Sequence, residues 1–133
     1  MDVSEILAGL NERQREAVTH PARALRVIAG AGSGKTRVLV QRMQWLMAVD
    51  GVSPYGLLAL TFTNKAAAEM AERFAQQRKL PASERPTIST FHSLGMKMLR
   101  TSGRGIGLKP SFSIFDSDDC AGLLAQLLQT TDR

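Results

Sequence analysis

The sequence predicts an α/β fold in which helices flank a parallel β-sheet. Short apolar runs alternate along the chain with segments whose apolar residues recur at helical spacing, the pattern of strands joined by crossover helices. A glycine-rich loop also joins the first apolar run to the helix that follows it. Because parallel sheets are covered on both faces and average about five or six strands, we expect the three runs found here to form part of a sheet.

The first third of the chain contains a helix, a strand and a second helix. Asn11 is the predicted N-cap of a helix that Pro21 closes. The run "ALRVIA", residues 24–29, is β-prone, apolar and ended by glycines, which predicts a buried strand. Apolar residues then recur at helical spacing over residues 35–49, and Gly51 is the expected stop of that helix.

The middle of the chain repeats this alternation. The run "GLLALTF", residues 56–62, predicts a second strand, and helical spacing predicts a helix over residues 65–77. Residues 78–86 form a predicted loop. The segment "TIST", residues 87–90, is the third predicted strand and leads into a helix that begins near Phe91.

The last third begins with a glycine-rich segment, residues 101–110, which is the best candidate for a subdomain boundary. The segment "SFSIFD", residues 111–116, alternates like a strand with one wet face, and Asp116 is the predicted cap of a final helix. The residues expected on the buried side of that helix are Cys120, Leu123, Leu124, Leu127 and Leu128.

Composition narrows the class of protein. Apolar residues make up 44% and charged residues 22% of 133 residues, the balance of a soluble globular domain. The sequence has neither a long apolar run nor a signal-peptide pattern after Met1, so we expect a cytoplasmic protein with no membrane partner and interpret it as an N-terminal piece of a larger one. Cys120 is the single cysteine, which excludes an internal disulfide, and we expect it to be buried.

The formal net charge of +5 favours a polyanionic partner. The basic residues are spread along the chain and form no block of five or six like charges. A nucleic-acid surface would therefore have to be assembled by the fold, and an ordinary solvated surface is the alternative.

The loop "AGAGSGKT", residues 29–36, has the spacing of a phosphate-binding loop. The usual pattern is glycine, four residues, then Gly-Lys-Ser/Thr between a strand and a helix, and here Ala29 replaces the first glycine. Three glycines still allow consecutive N–H groups to turn toward phosphate oxygens, and the helix that follows adds its N-terminal N–H groups. These glycines are Gly30, Gly32 and Gly34.

Two residues of this loop carry its predicted chemistry. Lys35 would reach the β and γ phosphates of a nucleoside triphosphate, and the Thr36 hydroxyl would ligate Mg²⁺. A glycine-rich turn without function is the alternative. Hydrolysis also needs a second carboxylate at a strand end, and Asp116, the one candidate, has the simpler role of a helix cap.

Four stretches in order resemble the Q motif and motifs I, Ia and Ib of superfamily 1 DNA helicases of the UvrD/Rep/PcrA group, and most of all the Rep-like ATP-dependent DNA helicases. They are "LNERQREAV", "AGAGSGKTRVL", "LALTFTNKAAAEM" and "ISTFHSLG", and "FSIFDSDD" is similar to the start of the inserted 1B subdomain. The resemblance implies a RecA-like P-loop NTPase fold. Residues 1–103 would be an incomplete N-terminal part of ATP-binding domain 1A, and residues 104–133 the truncated start of helical subdomain 1B.

The resemblance implies ATP and Mg²⁺ as cofactors. Gln14 would read the adenine edge, although a solvated helix glutamine is the alternative, and Arg37 would lie near the nucleotide unless it is a plain surface residue. Lys35 and Thr36 would be the catalytic residues, with Thr36 on Mg²⁺. The implied ATP-binding residues are Gln14, Ala29, Gly30, Ala31, Gly32, Ser33, Gly34, Lys35, Thr36 and Arg37.

Motifs Ia and Ib imply contacts with single-stranded DNA. Phe62 would stack on a base or, alternatively, pack in the core. Thr63 and Asn64 follow it, and either could instead cap the next helix. Thr90 and His92 resemble the motif Ib contacts, with a structural histidine as the alternative for His92.

The resemblance implies a 3′-to-5′ helicase that acts in DNA replication or repair on single-stranded DNA and on junctions of single and double strands. Its partner would include the remainder of the helicase chain. These residues contain no Asp-Glu pair like that of motif II and no second RecA-like domain, so we expect the 133-residue chain alone to be inactive or nearly so. The alternatives are a small P-loop kinase or nucleotide switch, and a non-enzymatic nucleic-acid-binding module.

Overall fold

A computed structural model describes residues 2–131, with the backbone alone at residues 130 and 131. Contacts divide the chain into two compact units, Met1–Ser93 and Leu94–Arg133. The division falls inside a helix and before the predicted domain border at residues 103–104, which stays a prediction. The helices and strands are α1 (Val3–Leu7), α2 (Glu12–Thr19), α3 (Lys35–Ala48), β1 (Leu58–Thr61), α4 (Asn64–Gln77), β2 (Thr87–Thr90), α5 (Phe91–Ser102) and α6 (Ser117–Thr131). Short 3₁₀ turns occupy Pro54–Gly56, Ala82–Glu84 and Gly103–Ile106.

The sheet is parallel, as expected from the alternation of elements. Strands β1 and β2 pair in parallel, with Leu58 opposite Thr87 and Thr61 opposite Thr90. Helix α4 lies between the two strands in the chain and contacts both of them, so it is the crossover helix of this unit. The α/β class is therefore confirmed in its coarse form, while the RecA-like arrangement remains a prediction.

The predicted strand over residues 24–29 is absent. No residue of this run pairs with a strand among residues 2–131, and Leu25, Val27 and Ile28 are exposed. An apolar run supplies the propensity for a strand, but the strand itself needs a neighbouring edge to receive its backbone N–H and C=O groups. The described sheet consequently has two strands instead of the three expected.

The predicted strand over residues 111–116 is also absent. Its backbone is irregular. Side-chain contacts hold the start of the segment in place, and the backbone hydrogen bonds of a β-sheet do not. The Arg100 guanidinium donates a hydrogen bond to the Pro110 carbonyl at 2.7 Å and lies 4.6 Å from the centre of the Phe112 ring. This cation–π contact and hydrogen bond hold the segment against helix α5.

Helix α6 begins as predicted but does not bury its apolar side. Asp116 accepts a hydrogen bond from the Asp119 backbone N–H at 2.8 Å, and Asp119 accepts one from Asp116 in return, so Asp116 is the helix cap. Apolar periodicity marks a stripe suited to burial, but burial needs a facing element. The stripe is instead exposed at Cys120, Leu123, Leu124, Leu127 and Leu128.

Helices α2, α3, α4 and α5 match their predictions to within a residue or two at the described ends. Asn11 forms a capping box with Gln14 at the start of α2, and Thr63 accepts a hydrogen bond at the start of α4. Helices α1, α2 and α3 share one apolar cluster, and α3 and α4 share another that includes the sheet. No helix among residues 2–131 combines the length and the apolar character that crossing a bilayer requires.

The core contains two buried glutamine side chains, which is unusual for a polar residue. Gln44 is fully buried on α3, and neither atom of its amide has a hydrogen-bond partner within the described part of the chain. The side-chain amide oxygen of Gln41, one turn earlier on α3, is also buried and has no hydrogen-bond partner within the same residues. Burial removes the hydrogen bonds of these amide atoms to water, and no protein hydrogen bond described here offsets that loss.

Candidate functional site

The glycine-rich loop enters helix α3 through left-handed backbone. Gly32 has φ 72° and Gly34, the N-cap of α3, has φ 80°. A residue with a side chain is strained in this region, so the loop needs glycine at both positions. A Cβ atom built on Gly30 or on Gly32 would meet no atom within 4 Å, so this face of the loop is open.

Several backbone N–H groups of the loop are available to an anion. The Ser33 backbone N–H and hydroxyl both donate to the Gly30 carbonyl, at 3.3 and 2.6 Å, and close the turn. The N–H groups of Ala31, Gly32 and Gly34 find no hydrogen-bond partner among residues 2–131. They lie beside the N-terminus of a helix of 14 residues, where the helix dipole favours negative charge.

The two residues predicted to carry the chemistry stand in the first turn of α3. Lys35 is exposed, and its ammonium lies 3.4 Å from the Ala29 carbonyl oxygen and 3.3 Å from that of Gly30. These bonds are long, so a phosphate oxygen would compete with them on favourable terms. Thr36 is half-buried beside it. The loop, the ammonium and the hydroxyl fit a Mg²⁺-bound triphosphate in their chemistry.

Gln14 joins helix α2 to this loop. Its Oε1 accepts from the Asn11 backbone N–H at 3.0 Å, and its Nε2 donates to the Ser33 carbonyl at 3.0 Å. Gln14 is half-buried, and both ends of its amide are bonded within the protein. An amide offers two hydrogens and two lone pairs, so one of each remains for a ligand. The role in reading adenine remains a prediction.

A cavity of about 370 Å³ lies between α2, the start of α3 and residues 27–29. Pockets for small molecules combine mainly apolar walls with a few polar groups, and this cavity has that character. Its lining residues are Asn11, Arg13, Gln14, Ala17, Val27, Ile28, Ala29, Ser33, Lys35, Val38 and Leu39.

Arg37 is bonded within the protein. Its Nη2 donates to the Ala8 carbonyl at 3.0 Å, and a Cβ built on Gly9 would lie 2.7 Å from the same nitrogen. The side chain is exposed and bonds the turn between α1 and α2. Its contact with a nucleotide remains a prediction.

Arg42 has a structural role that its sequence did not indicate. Its Nη1 lies within hydrogen-bond distance of three carbonyl oxygens at the end of α2: Ala17 at 3.2 Å, Val18 at 2.9 Å and His20 at 2.7 Å. Helix α2 has no basic residue in its own last turn, so its final carbonyls need an outside donor. The sequence indicates only that these carbonyls need a donor, and it does not indicate that Arg42 supplies it.

The other candidate surface lies where the two strands end. Because Thr61 and Thr90 are opposite each other in the sheet, Phe62 and Phe91 leave it at the same edge. Their ring centroids are 5.5 Å apart, with the planes tilted by 40°. Phe62 is 90% exposed, so the alternative that it packs in the core is wrong. Phe91, which the sequence marked only as the start of a helix, is a second exposed ring beside it.

The polar candidates at this edge divide into two groups. The Thr63 hydroxyl accepts from the Ala66 N–H at 3.1 Å, and the buried Thr90 hydroxyl accepts from the Ser93 N–H at 3.1 Å, so both begin helices. Asn64 and His92 are exposed. The fold forms no hydrogen bond with the His92 ring within residues 2–131. DNA contacts by all four remain predictions.

The remaining charged and metal-ligating side chains of residues 2–131 form no further candidate site. No group of three or more His, Cys, Asp or Glu side chains among residues 2–131 is placed to hold a metal ion. The two ion pairs formed there are surface pairs within single helices, Arg13–Glu16 and Arg73–Glu69. Asp116 is used as a cap, which is the simpler of its two predicted roles.

Residues 10–133 match the UvrD/REP helicase N-terminal domain family. The chain is 49% identical over 129 residues to DNA helicase II of Escherichia coli, an alignment that covers 97% of this chain and 18% of that protein. It is 46% identical over 129 residues to the ATP-dependent DNA helicase UvrD1 of Mycobacterium leprae, with 96% of this chain and 17% of that protein covered. A probable DNA helicase II homologue of Mycoplasma capricolum is 43% identical over 132 residues, which is 99% of this chain and 18% of its own length.

The chain thus spans less than a fifth of the length of these curated relatives. The match nevertheless includes the glycine-rich loop, Gln14 and both strand ends. With nearly the whole sequence aligned, the chain belongs to the UvrD/REP helicase N-terminal domain family.

Proposed function

We propose that this chain is the ATP-binding segment of a DNA helicase that moves 3′ to 5′ on single-stranded DNA and unwinds duplexes in replication or repair. The observation that carries the proposal is the loop before α3, whose N–H groups at Ala31, Gly32 and Gly34 have no partner among residues 2–131, with the Lys35 ammonium at the same helix N-terminus. The relatives are named as DNA helicases, and two of those compared are DNA helicase II and an ATP-dependent helicase. We expect a DNA helicase like these relatives to work in the cytoplasm.

Each residue of the loop has a defined part in this proposal. The N–H groups of Ala31, Gly32 and Gly34 bind phosphate oxygens, and Lys35 exchanges its long bonds to the loop carbonyls for bonds to the β and γ phosphates. Thr36 offers its hydroxyl to Mg²⁺. The metal ion, when bound, neutralises charge that develops on the phosphates.

We propose that the strand-end surface is part of the DNA track. Two exposed rings, Phe62 and Phe91, offer flat apolar faces to unstacked bases, which suits single strands of any sequence. The exposed Asn64 and His92 beside them can bind phosphate or sugar oxygens. Thr63 and Thr90 hold the helix starts that present these groups. Junctions of single and double strands would need the remainder of the helicase chain as well.

Binding and turnover are separate properties in this proposal. Hydrolysis requires a carboxylate that holds Mg²⁺ through water and a residue that activates the attacking water. Asp116, the one candidate weighed for the first role, is engaged as a helix cap, and no acidic cluster suited to a metal lies within residues 2–131. We therefore expect the 133 residues to bind MgATP with little or no turnover. A stand-alone kinase or switch would need the same Mg²⁺ carboxylate, for which Asp116 was the one candidate weighed.

The test uses the helicase that contains this chain. DNA-stimulated ATP hydrolysis by that protein should be abolished by Lys35→Ala and retained by Lys79→Ala, a change at an exposed lysine in the loop after α4. Full activity of Lys35→Ala would refute the proposal. In the separate chain, failure to bind millimolar MgATP together with binding of an oligonucleotide would favour a non-enzymatic module instead.

A further inference from the structure

The amide of Gln14 has a fixed orientation in this fold. Its oxygen faces the Asn11 N–H and its nitrogen faces the Ser33 carbonyl. A flipped amide would place two donors together at Asn11 and two acceptors together at Ser33, so the network selects one orientation. The hydrogen and lone pair left for a ligand therefore have a fixed polarity.

A fixed polarity separates purines by the group at position 6. Adenine carries an amino donor next to the N7 acceptor, whereas guanine carries an oxygen acceptor there. An amide that cannot turn matches the first pattern and opposes the second. Selectivity for the base then depends on whatever holds Gln14 in place against the loop.

Helix α2 carries Gln14, and two arginines of α3 hold α2. Arg37 donates to the Ala8 carbonyl before α2 begins. The Arg42 Nη1 has two hydrogens and lies within hydrogen-bond distance of three carbonyl oxygens at the end of α2, so these carbonyls share its two donors. Donors within α2 itself do not reach these last carbonyls. Helix α2 has only eight residues, too few to be stable without tertiary contacts. Its position along α3 is therefore set by these charged hydrogen bonds together with the apolar contacts between α2 and α3.

We propose that Arg42 is a positioning residue that sets the selectivity for adenine over guanine by fixing α2, and with it the orientation of the Gln14 amide. Arg42 touches no nucleotide in this proposal, and the grip on the triphosphate stays with the loop and Lys35. The inference rests on the proposed function, because it requires that the loop binds a nucleoside triphosphate.

The experiment compares dissociation constants for MgATP and MgGTP, each measured by displacement of a fluorescent triphosphate analogue from the purified chain. Arg42→Met should lower the preference for ATP about tenfold, the change expected when one hydrogen bond to the base is lost, and should leave the affinity for GTP unchanged. Gln14→Ala should lower the ratio of ATP affinity to GTP affinity by a similar factor, and the double variant should lower that ratio no further. Arg73→Met is the matched control, since Arg73 has only a surface ion pair on α4.

Arg42→Lys tests the proposal if Arg42→Met fails to fold, a property read from thermal unfolding by circular dichroism. Lysine keeps the charge but offers a single point of donation, so the preference for ATP should fall by less than tenfold yet measurably. An unchanged ATP-to-GTP ratio in a folded Arg42 variant, with a reduced ratio in Gln14→Ala, would overturn the inference and leave the proposed function intact. Equal loss of both nucleotides would also overturn it, since that is the result of a merely structural role. Wild-type chain that binds neither nucleotide would overturn the proposed function as well.

Discussion

Alanine substitutions in the loop separate backbone strain from steric contact at the candidate nucleotide site. Gly30 does not have a positive φ, and a Cβ there would meet nothing within 4 Å. Gly32 has φ 72° but equally open space. Gly34 has φ 80°, and a Cβ there would lie 3.0 Å from the Gln14 Nε2 that donates to Ser33. The three positions therefore form a graded series.

The expected magnitudes follow from these differences. Gly30→Ala should leave the free energy of unfolding unchanged or raise it by up to about 1 kcal/mol, because alanine has less freedom in the unfolded chain. Gly32→Ala should lower it by about 1 to 2 kcal/mol, the cost of left-handed backbone for a residue with a side chain. Gly34→Ala adds the loss of the Gln14 hydrogen bond and should lower it by about 2 to 3 kcal/mol in total.

Urea unfolding followed by circular dichroism measures all three values. The slopes against urea concentration should agree among the variants, since the surface exposed on unfolding is unchanged. If Gly34→Ala is as stable as Gly30→Ala, the loop does not have the conformation described here. A Gly32→Ala variant as unstable as Gly34→Ala would show that strain alone, and not contact with Gln14, sets the cost.

Three further outcomes are expected. Gln44→Met should raise the free energy of unfolding by about 1 to 3 kcal/mol, because the buried amide has no hydrogen-bond partner among residues 2–131 and methionine has a similar volume. Gln76→Met on the surface of α4 is the control. A lower melting temperature for Gln44→Met would contradict the reasoning. Phe62→Leu should weaken binding of an oligothymidine about tenfold in a fluorescence anisotropy titration, because one stacked base is lost. Tyr55→Leu, a change at another exposed aromatic before β1, should bind as the wild type does, and equal losses in both variants would remove Phe62 from the DNA surface. Purified chain should show no ATP turnover above that of Lys35→Ala in a phosphate-release assay, whereas turnover that Lys35→Ala abolishes would place a complete catalytic site within these residues.

Helices α2 to α6 were predictable because their signals are local, whereas the short helix α1 was not predicted. Asn11 and Gln14 are three residues apart and make the capping box of α2 by themselves. Asp116 and Asp119 do the same for α6. The glycine-rich loop is also a local pattern, so the residues of the candidate nucleotide site could be named from the sequence and the family resemblance.

The features that escaped prediction depend on distant partners. Residues 24–29 have the composition of a strand, but a strand forms only beside another, and none pairs with them in the described chain. The link from Arg42 to the end of α2 joins residues more than twenty positions apart. The pairing of Phe62 with Phe91 follows from the register of two strands, which periodicity alone does not give.

The central claim is that the loop before α3 binds a triphosphate through its N–H groups and Lys35. Isothermal titration of the purified chain with MgATP tests it directly, with Lys35→Ala as the variant and Lys79→Ala as the control. We expect saturable binding to the wild type and to Lys79→Ala, and an affinity at least about tenfold lower for Lys35→Ala, since a charged hydrogen-bond donor is removed. Absence of binding to the wild type, or equal affinity in all three proteins, would contradict the account.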